Sequence, residues 1–127
     1  SSLIWIKKAD HLFGTFLSDA EVAWMKGGHG VYCYRKQFPP PSRMAENGGG
    51  EVAHPPQKPI GLMAWCMERA KVPAGAMVLD PFMGSGTTGV ACHQTQRAFI
   101  GIEREPKYFE IACRRIEDAQ RQSRMFT

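Results

Sequence analysis

Few folds accommodate the stretch VLDPFMGSGTTG at residues 78–89. Val78 and Leu79 are strand formers and follow the breaker pair Ala74-Gly75. Gly84 and Gly86 permit backbone angles that a Cβ resists. Ser85, Thr87 and Thr88 suit the start of a helix, where free N–H groups need partners. The stretch therefore predicts a strand, a glycine-rich turn and a helix in direct succession. N–H groups and the helix dipole converge at such a turn, so it attracts an anion.

The ligand is narrower than any anion. Gly84-x-Gly86-x-x-Gly89 matches the dinucleotide fingerprint literally. Four residues, Asp80 to Met83, separate the apolar strand from the first glycine, whereas a dinucleotide fold turns almost at once. No GK[S/T] follows, which removes the P-loop reading. A second apolar run, 98–102, ends in Glu103, 17 residues after Gly86. An acid at the end of the next strand suits the two hydroxyls of a ribose. This feature fits a nicotinamide dinucleotide and other nucleoside cofactors alike.

The rest of the chain supplies the frame. Residues 60–71 predict a helix with Ile60, Met63, Ala64 and Met67 on one face, stopped by Val72-Pro73-Ala74-Gly75. Trp65 and Met67 read as core. A helix at 87–95 has a small side at Gly89 and Ala91, which lets it lie close to a sheet. A last helix, 106–122, opens at Pro106. Its stripe is Tyr108, Phe109, Ala112 and Ile116, with Arg114, Arg115, Glu117 and Asp118 expected in water. Two successive strand–helix units argue for an α/β fold with a parallel sheet. Upstream, 3–6, 20–25 and 31–34 read as short strands, the third edge-like. Residues 9–20 read as a loop, with Phe13, Phe16 and Leu17 tucked into the core. The prolines and glycines of 37–57 exclude long regular elements there.

At 127 residues the chain is expected to form one domain, 1–127. It has no run of 18 apolar residues and no secretory signal, so no membrane partner is expected. Cys33, Cys66, Cys92 and Cys113 are widely spaced, which suggests no metal and fits a reduced, cytoplasmic compartment. Cys92 and Cys113 read as small core residues. The net charge of +4 permits nucleic-acid binding, but it is spread evenly and forms no basic tail.

The segment Asp80-Pro81-Phe82-x-Gly84-Ser85-Gly86-Thr87-Thr88 resembles the S-adenosylmethionine (AdoMet) motif of amino-group DNA methyltransferases. His54-Pro55-Pro56-Gln57-Lys58-Pro59 resembles the same family's segment beside the cofactor, and lies about twenty residues before Asp80 as the family order requires. Ile4-Trp5-x-Lys7, followed by Glu21 ahead of an apolar strand, is similar to the segment after the family's catalytic strand. The resemblance implies a partial Rossmann-like AdoMet-dependent methyltransferase fold, mostly parallel, with flanking helices and truncated on its N-terminal side. It implies AdoMet as cofactor, with His54, Lys58, Pro59, Asp80, Phe82, Gly84, Ser85, Gly86, Thr87, Thr88 and Glu103 at its site. Ser85 to Thr88 would meet the methionine carboxylate, Asp80 the amino end and Glu103 the ribose. Double-stranded DNA is the implied partner, and 37–57 stands where the family reads bases.

In the family, an Asp/Asn/Ser-Pro-Pro-Tyr/Phe segment holds the target amino group, and its aromatic stacks on a flipped base. No such segment occurs in these 127 residues, so no catalytic residue is assigned. The leading expectation is the AdoMet-binding portion of an enzyme methylating adenine N6 or cytosine N4, in a restriction–modification setting. The alternatives are a catalytically inactive AdoMet- or DNA-binding module and, more remotely, an NAD-dependent oxidoreductase. A further expectation follows for 3–6. Having lost a neighbour, it should be an apolar edge that self-associates or receives a missing N-terminal segment.

Overall fold

The computed structural model describes residues 1–15, 18–39, 46 and 57–125. They fall into two compact units, Ser1–Pro39 and Pro40–Thr127.

The first unit is a small sheet. Strand β1, Ser2–Ile6, alternates its side chains, so Leu3 and Trp5 are buried on one face. The Trp5 indole donates to the Lys36 carbonyl at 2.7 Å, which satisfies its polar end. A turn of 3-10 helix at Asp10–Leu12 leads to β2, Ala20–Trp24, and then β3, Val31–Arg35. The order is β2-β1-β3. β2 runs antiparallel to β1, with Trp5 opposite Glu21, and β3 runs parallel, with Trp5 opposite Tyr34. Lys7 joins this cross-strand group, its ammonium 3.6 Å from the Glu21 carboxylate and 5.8 Å from the Trp5 ring centre. The Trp5, Lys7 and Glu21 pattern thus forms one contact set.

Two expectations are corrected here. Strand 3–6 is not an edge, because β2 and β3 occupy its two hydrogen-bonding sides. The edges belong to β2 and β3, and so do the exposed apolar side chains Val22, Trp24 and Val31. Neither self-association nor strand addition has a route through the edge of 3–6. Phe13 is also not tucked in: it is 45% exposed, just past the 3-10 turn, with the Arg35 guanidinium 5.8 Å from its ring centre. Phe16 and Leu17 lie outside the described residues.

The second unit carries helix α1, Ile60–Arg69, then β4, Met77–Asp80, helix α2, Thr87–Gln94, β5, Ala98–Gly101, and helix α3, Pro106–Met125. β4 and β5 pair in parallel, with Met77 opposite Ala98 and Asp80 opposite Gly101. The expected α1 stripe packs as read. Met67, Ala91 and Cys92 form the core, and Ile60, Met63, Ala64, Val78 and Phe99 close around them. α2 lies close to its neighbours because residue 89 has no side chain. A Cβ there would stand 2.6 Å from Ile116 Cδ1 and 2.7 Å from the Phe99 ring. α3 buries Ala112, Arg115 and Ala119. Arg115 was expected in water and is 8% exposed, whereas Phe109, expected in the stripe, is 46% exposed. Residues 108, 112, 115 and 119 recur at intervals of four, three and four, which puts Arg115 on the buried face.

Among the described residues, no helix is long and apolar enough to cross a membrane, and no His/Cys/Asp/Glu group could hold a metal ion.

Candidate functional site

The turn between β4 and α2 is wired by side chains from three directions. Asp80 ends β4, and its Oδ1 accepts from the Phe82 N–H at 3.0 Å, a local turn that Asp forms readily. Its Oδ2 accepts from the Thr88 hydroxyl at 2.8 Å, tying the start of the turn to the first turn of α2. Beyond β5, Glu103 Oε1 accepts from the Gly84 N–H at 3.1 Å and Oε2 from the Glu105 N–H at 2.9 Å. The Met83 N–H donates to the Ile102 carbonyl at 3.0 Å, fastening the turn to the same segment. From α3, Arg115 Nη1 donates to the Ser85 carbonyl at 2.7 Å, the Ser85 hydroxyl at 3.0 Å and the Thr87 hydroxyl at 3.1 Å.

Gly86 is the hinge. Its φ of 83° lies in the left-handed region, and it caps α2 without a side chain. The first intrahelical bond runs from the Val90 N–H to the Gly86 carbonyl at 3.0 Å. The first-turn N–H groups of Thr87, Thr88 and Gly89 therefore have no acceptor within the helix. The positive end of the helix dipole faces the same way.

In front of the turn lies a cleft of about 260 Å³. Of the residues expected at the site, Lys58, Asp80, Phe82, Gly84, Ser85, Thr87 and Thr88 line it. Gln57, Met63 and Met83 line it as well and were not assigned from sequence. Gln57 is 5% exposed and Phe82 88% exposed, so the cleft has a closed floor and an open rim. Three expected residues do not line it. The Pro59 side chain is fully buried immediately before α1. Gly86 faces Ala112, and Glu103 acts through the Gly84 N–H. His54 lies outside the described residues.

The cleft juxtaposes a helix start that attracts negative charge, a carboxylate at Asp80 that attracts positive charge, and the apolar side chains of Met63, Phe82 and Met83. This set fits a ligand that is zwitterionic at one end and apolar at the other. Arg115 was missed because its charge outweighed its position in the helical period. Gln57 and Met83 could have been found from their spacing, since Gln57 adjoins Lys58 and Met83 lies between Phe82 and Gly84; Met63 stands about one helical turn after Pro59.

The parallel β–α–β unit and a ligand cleft at the carboxyl end of its first strand define an α/β domain of the Rossmann-like class. The family model for N6/N4-type DNA methylases matches residues 4–114, and the chain belongs to this family. Over 67 residues it is 46% identical to the type II methyltransferase M2.DpnII of Streptococcus pneumoniae, a stretch covering 50% of this chain and 24% of that protein. Over 65 residues it is 45% identical to the type II methyltransferase M.Cfr9I of Citrobacter freundii, covering 51% of this chain and 21% of the relative. The crystal structure of the M1.HpyAVI–SAM complex superposes with a TM-score of 0.62 at 28% identity, over 91% of this chain and 61% of that one. The cytosine-N4-specific PvuII DNA methyltransferase shares the fold, with a TM-score of 0.58 at 17% identity over 94% of this chain and 54% of its own. The chain thus matches about a quarter or less of the length of these curated relatives.

Proposed function

We propose that the chain is the AdoMet-binding portion of a DNA methyltransferase acting on the exocyclic amino group of adenine (N6) or cytosine (N4). The observation that carries this reading is the cleft at the glycine turn. It combines an uncapped helix start with the Asp80 carboxylate one turn away. AdoMet carries a carboxylate and an ammonium on one carbon, and these two features fit that pair. Membership of the N6/N4 family and the AdoMet complex of M1.HpyAVI support the choice of ligand.

In this reading Ser85, Thr87 and Thr88 receive the carboxylate, and Asp80 receives the ammonium. Glu103 retains lone pairs beyond those given to the Gly84 and Glu105 N–H groups, and these take the ribose. Met63, Phe82 and Met83 supply apolar walls, and Lys58 places a cation at the rim. Pro59 and Gly86 act as scaffold. His54 belongs to the site through its motif with Lys58. AdoMet supplies a methyl activated by its sulfonium. What remains is to present an amino nitrogen to it, and no residue of this chain is assigned to that step. Double-stranded DNA is the substrate, the setting is restriction–modification as for the type II relatives, and the compartment is the cytoplasm. Cys33, Cys66, Cys92 and Cys113 are free thiols, in keeping with that compartment.

Calorimetric titration of AdoMet into the purified chain tests the reading, with NAD as competitor. Saturable AdoMet binding that NAD does not displace is expected. No heat at millimolar AdoMet, or displacement by NAD, overturns it.

A further inference from the structure

Arg115 does something that neither the family motifs nor the cleft assigns. It sits in the middle of α3 with its side chain more than nine-tenths buried. One of its nitrogens, Nη1, reaches the glycine turn and makes three contacts there, to the Ser85 carbonyl, the Ser85 hydroxyl and the Thr87 hydroxyl. Its other two, Nε and Nη2, are buried and have no hydrogen-bond partner among the described residues. Burial pushes the guanidinium below its usual pKa, and the nearby Glu46 carboxylate opposes that.

Stability alone gives little reason for this side chain. Ala112 and Ala119 fill the neighbouring positions of the same face. A cation buried with two of its three nitrogens unpartnered costs more than an apolar residue of similar length. Its chemistry at the turn is specific, however. A guanidinium only donates, so at both contacts the hydroxyl oxygen is the acceptor. Each hydroxyl keeps one proton, and among the described residues neither proton has an acceptor. Ser85 and Thr87 both line the cleft. Accepting from a cation also polarises an O–H and strengthens it as a donor. Two donors are thereby fixed beside the uncapped start of α2.

We propose that Arg115 is a positioning residue that sets Ser85 and Thr87 as hydroxyl donors toward the carboxylate end of the bound cofactor. It acts through those two side chains and touches no ligand itself. This rests on the AdoMet reading of the cleft, and it adds where the selectivity for a carboxylate comes from.

The test compares two ligands on three proteins. The ligands are AdoMet and decarboxylated AdoMet, which keeps the sulfonium, ribose and adenine. The proteins are the wild type, Arg115→Met and Arg115→Lys, each checked for folding by circular dichroism. Arg115→Met should weaken AdoMet about tenfold or more, the scale of a hydrogen-bonding set to a charged group. It should change decarboxylated AdoMet less than about twofold, since no carboxylate is present to feel the loss. Arg115→Lys keeps the charge and should fall between for AdoMet. Equal losses for both ligands would mean that Arg115 only props up the turn, and no loss for AdoMet would mean that it does not act on the site. Either result overturns the proposal. If Arg115→Met does not fold, the Arg115→Lys ratio between the two ligands decides in the same way. A wild type that binds neither ligand defeats the AdoMet reading itself, a result distinct from both.

Discussion

Replacing Gly86 by alanine should be the most damaging single-methyl change in the turn. Two costs add. With φ at 83°, an L-residue with a Cβ pays about 1–2 kcal/mol for the left-handed conformation. The new Cβ would also stand 2.9 Å from Ala112 Cβ, 3.0 Å from Ala112 Cα and 3.3 Å from its carbonyl oxygen. Two of those atoms belong to the backbone of α3, so the helix has to move, and overpacking of this kind costs about 1–3 kcal/mol. The sum is about 2–5 kcal/mol, a large part of the roughly 5–15 kcal/mol that stabilises a typical domain. For a chain of 127 residues, an unfolding entropy of about 2.1 cal/mol/K per residue converts this to a Tm drop of about 8–20 °C. Urea unfolding followed by circular dichroism measures it directly. Ala112→Gly serves as the second site: it removes the 2.9 Å contact and leaves the 3.0 Å contact and the dihedral strain. The double variant should therefore recover part of the loss, by about 1 kcal/mol beyond additivity. A Gly86→Ala protein within about 1 kcal/mol of wild type, or strict additivity with Ala112→Gly, would refute the close approach of turn and helix.

The cysteines should react in order of exposure: Cys33 fast with a thiol reagent in the native protein, Cys66 slowly because burial pushes its thiol up, and Cys92 only on unfolding. Rapid native labelling of Cys92 would contradict its place in the core. The Lys8 ammonium and the Gly14 N–H hold the Asp19 carboxyl below its ordinary value of 3.8, so its contribution to stability is complete above that pH and is lost as pH falls through the lowered value. Carbon-detected NMR should show a midpoint below 3.8 that rises in Lys8→Met, and an unchanged midpoint would break the pairing. Asp80→Asn should weaken AdoMet about tenfold with little change in Tm, whereas Glu103→Gln should lower both; equal Tm losses in the two variants would contradict this.

The sequence made the second unit more legible than the first. Residues 78–89 announce their structure because glycine, aspartate and threonine each have a local conformational reason to sit at a strand-to-helix turn, and β4, the turn and α2 follow with boundaries near those expected. The α1 face was legible for a different reason, since Ile60, Met63, Ala64 and Met67 repeat at the helical period. Strand β1 was recognised as a strand but not as the centre of its sheet. An apolar run specifies a face to bury, while its neighbours are chosen by long-range pairing that local pattern does not encode. Phe13 is assigned to the interior on hydrophobicity and Phe109 on its place in the helical stripe, yet both are exposed, as large apolar residues often are. Arg115 failed in the opposite sense. Its charge argued for water and its helical position argued for burial, and the partners that settle the contest, Ser85 and Thr87, lie about thirty residues upstream.

The two acids proposed to bind the cofactor, Asp80 and Glu103, are also scaffold, and that changes how variants of them should be interpreted. Each carboxylate oxygen of Asp80 and Glu103 already accepts a hydrogen bond from the protein. At Asp80 one of the two donors is the Thr88 hydroxyl, which can equally accept. An asparagine there keeps its carbonyl on the Phe82 N–H and turns its amide toward Thr88, so the turn survives while the charge goes. At Glu103 both donors are backbone N–H groups, of Gly84 and Glu105, and neither can accept. A glutamine there leaves its amide facing an N–H, of Gly84 or of Glu105, so one of the two backbone anchors is lost whichever way the amide points. Charge and scaffold therefore separate at Asp80 and do not at Glu103. A loss of cofactor affinity is informative about direct binding at the first position, and reports turn integrity together with binding at the second.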